Sequence, residues 1–362
     1  MSNYVPIACF LLAMLLHSHA LPITGSFGLL LAVDTLAIIL VMFTVFAALH
    51  HAEAIAHRVG EPYGTLVLTF VVTTIEVSII LSMMQHGDTN PTLARESVFS
   101  TVMIVCTGIV GACLMLGGWR HRYQDIKRQG TSALLSVLLA LTVLTMVLPN
   151  YTLTTGLGTF SPVQLGFVAV LSLMLYVSFV FAQSHGQKAD FLDGDPTERT
   201  DAAHLAVEEN GGIVSHLFFL LIGLAGVVLL TEQVAAGVED GLAYLEVKQT
   251  DAIVGAMIAL VVLLPEGISA MKAAFRNETQ RAMNIALGSA CATIGLTIPA
   301  VAIASIITGD PLTLGLTPGD TILLFLALAM SAVSFGTGRT TVLTGLAHLV
   351  IFVAYVMLIA VP

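Results

Sequence analysis

Polar positions are so sparse along this chain that they divide it into long apolar runs. Stretches bounded by charges, Pro, Gly or Asn predict helices near residues 4–22, 27–49, 63–85, 97–117, 131–149, 161–183, 213–233, 250–271, 280–306, 318–336 and 340–361. Crossing a bilayer core of roughly 30 Å takes about 20 helical residues, and these runs have that order of length. None shows the alternating pattern of an outer-membrane barrel strand. The predicted fold is an all-α polytopic membrane protein with 11 transmembrane helices. The first run resembles a signal peptide, but residues 1–3 carry no Lys or Arg and HSHALPITG is a poor cleavage site, so it is read as a retained helix.

Composition strengthens this reading. With 57% hydrophobic and 10% charged residues and a mean hydropathy of +0.95, the chain cannot cover itself with polar surface, so its solvent is largely lipid. The charges then set orientation, because basic residues near helix ends tend to stay cytoplasmic. With the N-terminus inside, Arg58, Arg120, Arg122, Lys127, Arg128, Lys188, Arg199, Lys272, Arg276, Arg281 and Arg339 are cytoplasmic, and only Arg95 and Lys248 are external. The expected orientation has the N-terminus cytoplasmic and the C-terminus external.

A net charge of −10 with dispersed bases excludes a nucleic-acid partner. Much of the acidity lies in the long polar connection 190–211, with Asp190, Asp193, Asp195, Glu198, Asp201, Glu208 and Glu209. It either attracts cations to the cytoplasmic face or is a solvated hinge, and it lacks EF-hand spacing. Cys9, Cys106, Cys113 and Cys291 all fall within predicted helices and form no CxxC, so they are read as packing residues.

Setting the first helix aside leaves ten, five on either side of the acidic connection. Five is odd, so the halves insert with opposite orientation, as in inverted-repeat transporters. Each half carries a lone glutamate in its second helix: Glu76 in TTIEVSIIL and Glu266 in VVLLPEGISAM. A carboxylate at mid-membrane costs about 2.5 to 3.5 kcal/mol on insertion scales and so faces a cavity or a partner. One glutamate alone could be a protonated group bonded in a helix interface. Two at matched positions point to a shared cation site. The third helices, 97–114 and 284–301, are rich in small and hydroxyl residues, with Ser100 and Ser289 in comparable places. Pro265 and Gly267 predict a helix broken around Glu266, with carbonyls freed to coordinate. Carboxylate, carbonyl and hydroxyl oxygens suit hard cations.

The stretches HHAEAIAHRVGEPYGTLVLTFVVTTIEVSIIL (50–81) and LLPEGISAMKAAFRNETQRAMNIALGSACATIGLTIPAV (263–301) resemble the two α-repeats of the calcium/cation antiporter superfamily, in its ChaA-like branch of Na⁺(K⁺, Ca²⁺)/H⁺ antiporters. The resemblance implies one extra N-terminal helix (1–26) plus two inverted five-helix repeats, 27–185 and 213–362, joined by the acidic cytoplasmic linker 186–212. The repeat motifs would lie at about 60–115 and about 254–303. It implies that Glu76, Glu266, Thr73, Ser100, Ser289 and Thr293 bind cations and protons, with Glu76 and Glu266 the metal-binding carboxylates. Val72-Thr73 and Val262-Leu263 stand where many relatives have Gly-Asn, and Ile104 stands for an Asn, which leaves the choice of ion open. Proton and cation would alternate on the two glutamates, with 27–49 and 213–233 moving across the site. The function the resemblance implies is thus antiport of Ca²⁺, Na⁺ or K⁺ against H⁺ in a bacterial inner membrane, with no cofactor and an open oligomeric state. The alternatives are an intramembrane metalloenzyme and a passive cation channel.

Two other features are weighed. Asp34 is an acid inside a span, on a proton or cation pathway or locally hydrogen-bonded. His50, Glu53 and His57 share one helix face at the cytoplasmic edge, where they sense pH, hold a metal or are merely interfacial. His51, Glu53 and His57 lack HExxH spacing.

Overall fold

The computed structural model describes residues 4–17, 27–59, 63–85, 91–186, 191, 212–244 and 249–361. Its helices are α1 (Tyr4–His17), α2 (Phe27–Val59), α3 (Tyr63–Gln85), α4 (Leu93–Met103), α5 (Val110–His121), α6 (Arg128–Thr142), α7 (Pro162–Phe181), α8 (Ile213–Tyr244), α9 (Thr250–Phe275), α10 (Thr279–Ala292), α11 (Ile298–Thr308), α12 (Pro318–Gly336) and α13 (Val342–Ala360). α4 and α5 form one rod through a π-helical turn, Ile104–Ile109, and α10 and α11 form another through Thr293–Thr297. A helix therefore stands at every predicted run, and among the described residues nine spans are long and apolar enough to cross a membrane. Several run past their predicted ends, α2 to Val59 and α8 to Tyr244. Hydropathy marks where the apolar surface stops, whereas good helix formers such as Ala and Glu carry the helix further.

Apolar side chains point outward in helical stripes. On α7 the exposed residues Val163, Phe167, Val170, Met174, Val177 and Phe181 follow the i, i+3/i+4 rule, and on α13 Leu343, Leu346, Val350, Val353 and Met357 do the same. Faces of this kind need a lipid solvent, and the chain is an integral membrane protein.

The described residues form two compact units that cut across the sequence halves. The first comprises 1–90 and 207–250, the second 91–206 and 251–362. In the first unit, α8 packs along α2 and α1, and α3 packs on α2 and α8. Small residues on α2, notably Ala37, Ala48 and Ala52, are fully buried in these contacts, which lets the rods approach closely where no hydrophobic force separates helix from lipid.

In the second unit the α4–α5 rod and the α10–α11 rod pack on each other, and α6 and α7 end in π turns of their own, Val143–Val147 and Ala182–Gly186. α4 meets the π turn at Thr293–Thr297, while α10 meets the π turn at Ile104–Ile109 and α5. The start of the second rod thus faces the end of the first, so the rods run antiparallel, each with its π turn against the first helix of the other. α11 then packs on α7, α6 on α10 and α12, and α13 on α5. Two residues of the α5–α6 connection, Gln124 and Asp125, pair antiparallel with Thr340 and Arg339 and tie it to the start of α13. Cys106, Cys113 and Cys291 are free and buried.

Candidate functional site

α3 is an uninterrupted helix, and at i, i+3 it places Thr73 and Glu76 on one face, one turn apart. Both are buried, Glu76 to 3% exposure.

Glu266 lies in the second unit on α9, whose backbone differs from the expected one. The helix runs unbroken through Pro265 and Gly267. In lipid, a proline inside a helix is tolerated because breaking the ladder further would strand more backbone groups. Gly267 serves packing: a Cβ there would lie 3.3 Å from Ile109 Cδ1, so α9 presses on the π turn Ile104–Ile109. Earlier on α9, a Cβ at Gly255 would sit 2.8 Å from the Ser97 backbone nitrogen. Gly255 faces Ser97 and Gly267 faces Ile109, so α9 runs parallel to α4 and α5. Both ends confirm the course: Thr92 Oγ1 donates to Asp251 Oδ2 at 2.7 Å, and His121 Nε2 donates to the Phe275 carbonyl at 3.1 Å.

The irregular backbone expected at Glu266 is found instead in the π turns of the two antiparallel rods. A π turn redirects carbonyls away from the usual i+4 amide, and such turns recur at functional sites. Ser100 is buried in the last turn before the first of them, where the Tyr355 hydroxyl of α13 donates to its Oγ at 2.7 Å. Thr293 opens the second and is buried, and Ser289 is half-buried one turn before it. The buried oxygens Glu266 Oε2, Ser97 Oγ and Thr297 Oγ1 have no hydrogen-bond partner among the described residues. Among these residues no three His, Cys, Asp or Glu gather as a metal cluster. A cation held at Glu266 would therefore depend on hydroxyls and carbonyls as well as on that carboxylate.

Sequence reasoning missed His348 and Tyr355, both on the last helix. His348 is fully buried, and its Nδ1 lies 2.7 Å from the carbonyl of Cys106, inside the first π turn. A carbonyl only accepts, so Nδ1 carries the hydrogen. Nε2 lies 2.9 Å from Ser334 Oγ, which is also 2.7 Å from the Met330 carbonyl. A neutral ring takes Ser334's hydrogen; a protonated ring donates to Ser334, whose hydrogen turns to Met330. The same heavy atoms satisfy both states. A lone histidine in an apolar helix gave no sign of this, because its partners lie 14 and 242 residues away.

Toward the C-terminal end of α2 the structure brings together different histidines from those expected. Glu53 is exposed and His50 half-buried. The side chains of Asp34 and His57 lie outside the described residues, as does most of the acidic linker. His51 turns inward from α2, its Nδ1 3.0 Å from Nδ1 of His216 on α8, with Phe219 stacked on it at 5.3 Å. One hydrogen must be shared between the two facing nitrogens.

Comparison with known proteins accords with this fold. A family profile described as sodium/calcium exchanger protein matches residues 29–184 and 215–361. A Sinorhizobium fredii protein named as an ionic transporter, y4hA, is 41% identical over 355 residues, 98% of this chain and 94% of its own length. The sodium-potassium/proton antiporter ChaA of Escherichia coli is 35% identical over 337 residues, covering 91% of this chain and 89% of its own. Of solved structures, native YfkE superimposes with a TM-score of 0.72 over 100% of both chains at 16% identity, a likeness of fold.

Proposed function

This chain belongs to the sodium/calcium exchanger protein family, in its ChaA-like branch, and on that premise we propose that it is an inner-membrane antiporter exchanging Ca²⁺, Na⁺ or K⁺ for protons. With such relatives over nearly its whole length it is a transport protein, not an enzyme. The observation that carries the proposal is Glu266, a carboxyl oxygen shielded from water with no hydrogen-bond partner among the described residues, on a helix pressed against a π turn. A buried oxygen of this kind is suited to alternate between a proton and a cation.

In this mechanism Glu76 and Glu266 are the two exchanging carboxylates, assisted by Thr73, Ser100, Ser289 and Thr293. Ionised, they attract a cation; protonated, they lose the charge and the affinity. Eleven spans in two inverted repeats are supported by the parallel course of α9 and α4, since that topology runs both from outside to inside. The antiparallel packing of the two rods supports it too. The profile's two segments support the repeat boundaries 27–185 and 213–362.

The test is proton flux in inverted vesicles, with Ca²⁺, Na⁺ and K⁺ added in turn across pH. Saturable, cation-dependent proton movement is expected; cation flux without proton coupling would instead indicate a passive channel. Tyr355→Phe is a finer probe. It removes one donor to Ser100, with an expected loss of about 0.5–1.5 kcal/mol in stability, read as a small fall in melting temperature. It also frees Ser100, so the cation concentration for half-maximal flux should change; an unchanged value would remove Ser100 from the site.

A further inference from the structure

A cavity of about 760 Å³ opens between the last turns of α5 and α9, and Glu266 is not among the residues that line it. One wall is apolar, made by Leu116, Ile268 and Met271. The rim is basic, with Arg120, His121, Lys272 and Arg276, and no acid is among the described residues that line it. Phe275 organises the rim: the Arg120 guanidinium lies 4.2 Å over its ring and its carbonyl takes a hydrogen bond from His121. Held over the ring, Arg120 keeps N–H groups for an anion. Beside it stands the chain's single tryptophan, Trp119, 78% exposed, as at a membrane–water boundary.

We propose that this cavity binds one anionic glycerophospholipid from the leaflet on that side, its phosphate among Arg120, Lys272 and Arg276 and an acyl chain along Leu116, Ile268 and Met271. The chemistry selects this class over its rivals. A free inorganic anion would satisfy the bases but leave the apolar wall in water. A zwitterionic lipid would bring its own cation into a rim of four bases. Guanidinium pairs suit a phosphate in two-point contact, and basic clusters at a membrane surface favour anionic headgroups. Ile268 lies two residues beyond Glu266 on α9, so the lipid would brace the glutamate-bearing helix against α5. The proposal needs no particular transported ion.

Native mass spectrometry of the purified full chain tests it directly. In neutral detergent with phosphatidylglycerol, one retained lipid per chain is expected, and phosphatidylcholine at the same concentration should not be retained. R120Q/K272Q should weaken retention by roughly tenfold or more; K272Q alone serves should the pair fail to fold, and R281Q, outside the cavity and paired with Glu278, should leave it unchanged. Equal retention of phosphatidylcholine, full retention by the folded variants, or displacement by glycerol 3-phosphate at matched concentration would each overturn the proposal.

Discussion

Glu266→Gln is expected to bring cation-driven proton movement down to that of empty vesicles while leaving the protein folded. Glutamine keeps the volume and shape of the side chain on α9, so the contact of Gly267 with Ile109 and the parallel packing on α4 are undisturbed. What changes is charge. A neutral amide can neither release a proton nor offer a cation a full negative charge, and hydroxyls and carbonyls alone hold a desolvated cation weakly. Removing a carboxyl from a membrane interior also removes the cost of ionising it there, so the melting temperature should hold or rise. That combination separates a site residue from a structural one, for which activity and stability would fall together. Glu76→Gln should behave alike, as its helix is also unbroken and has no irregular backbone to lose. Full exchange by either variant across pH would sink the two-carboxylate mechanism.

The spans were legible because a bilayer imposes one strong rule: an apolar run near 20 residues becomes a helix. The glutamates were legible for the complementary reason that a lone acid in such a run needs a purpose. Residue-level backbone geometry was not. Pro265 and Gly267 read as a break, but a membrane helix that breaks must find new partners for its backbone, and packing at Ile109 made continuity the better solution. The π turns of the two rods occur in IVCTGI and TIGLT, sequences no different in propensity from their flanks, because a π turn is fixed by what packs on it. His348 and Tyr355 were invisible for a related reason. Each acts through a partner more than two hundred residues distant, Cys106 and Ser100, and no local pattern encodes such a pairing.

Gly345→Ala is expected to destabilise the second unit, against the sign that helix propensity gives. Inside an exposed helix, glycine to alanine stabilises by about 1 kcal/mol. At Gly345, however, a Cβ would lie 2.4 Å from the Met115 backbone nitrogen and 2.8 Å from the Gly111 carbonyl oxygen. These are backbone atoms of α5 and cannot rotate aside, so the whole of α13 must move out by roughly 1 Å to reach ordinary contact. One turn further on, His348 must keep its 2.7 Å bond to Cys106, and the displacement strains that bond as well. Overpacking of this kind costs typically 1–3 kcal/mol, and rigid partners put this position at the upper end, on the order of 5 °C in melting temperature. Gly166→Ala on α7, where a Cβ meets nothing within 4 Å, supplies the contrast and should hold or raise the melting temperature. If both variants shifted it upward, the backbone contact between α5 and α13 would not be as close as the structure has it, and the placement of His348 against the π turn would fall with it.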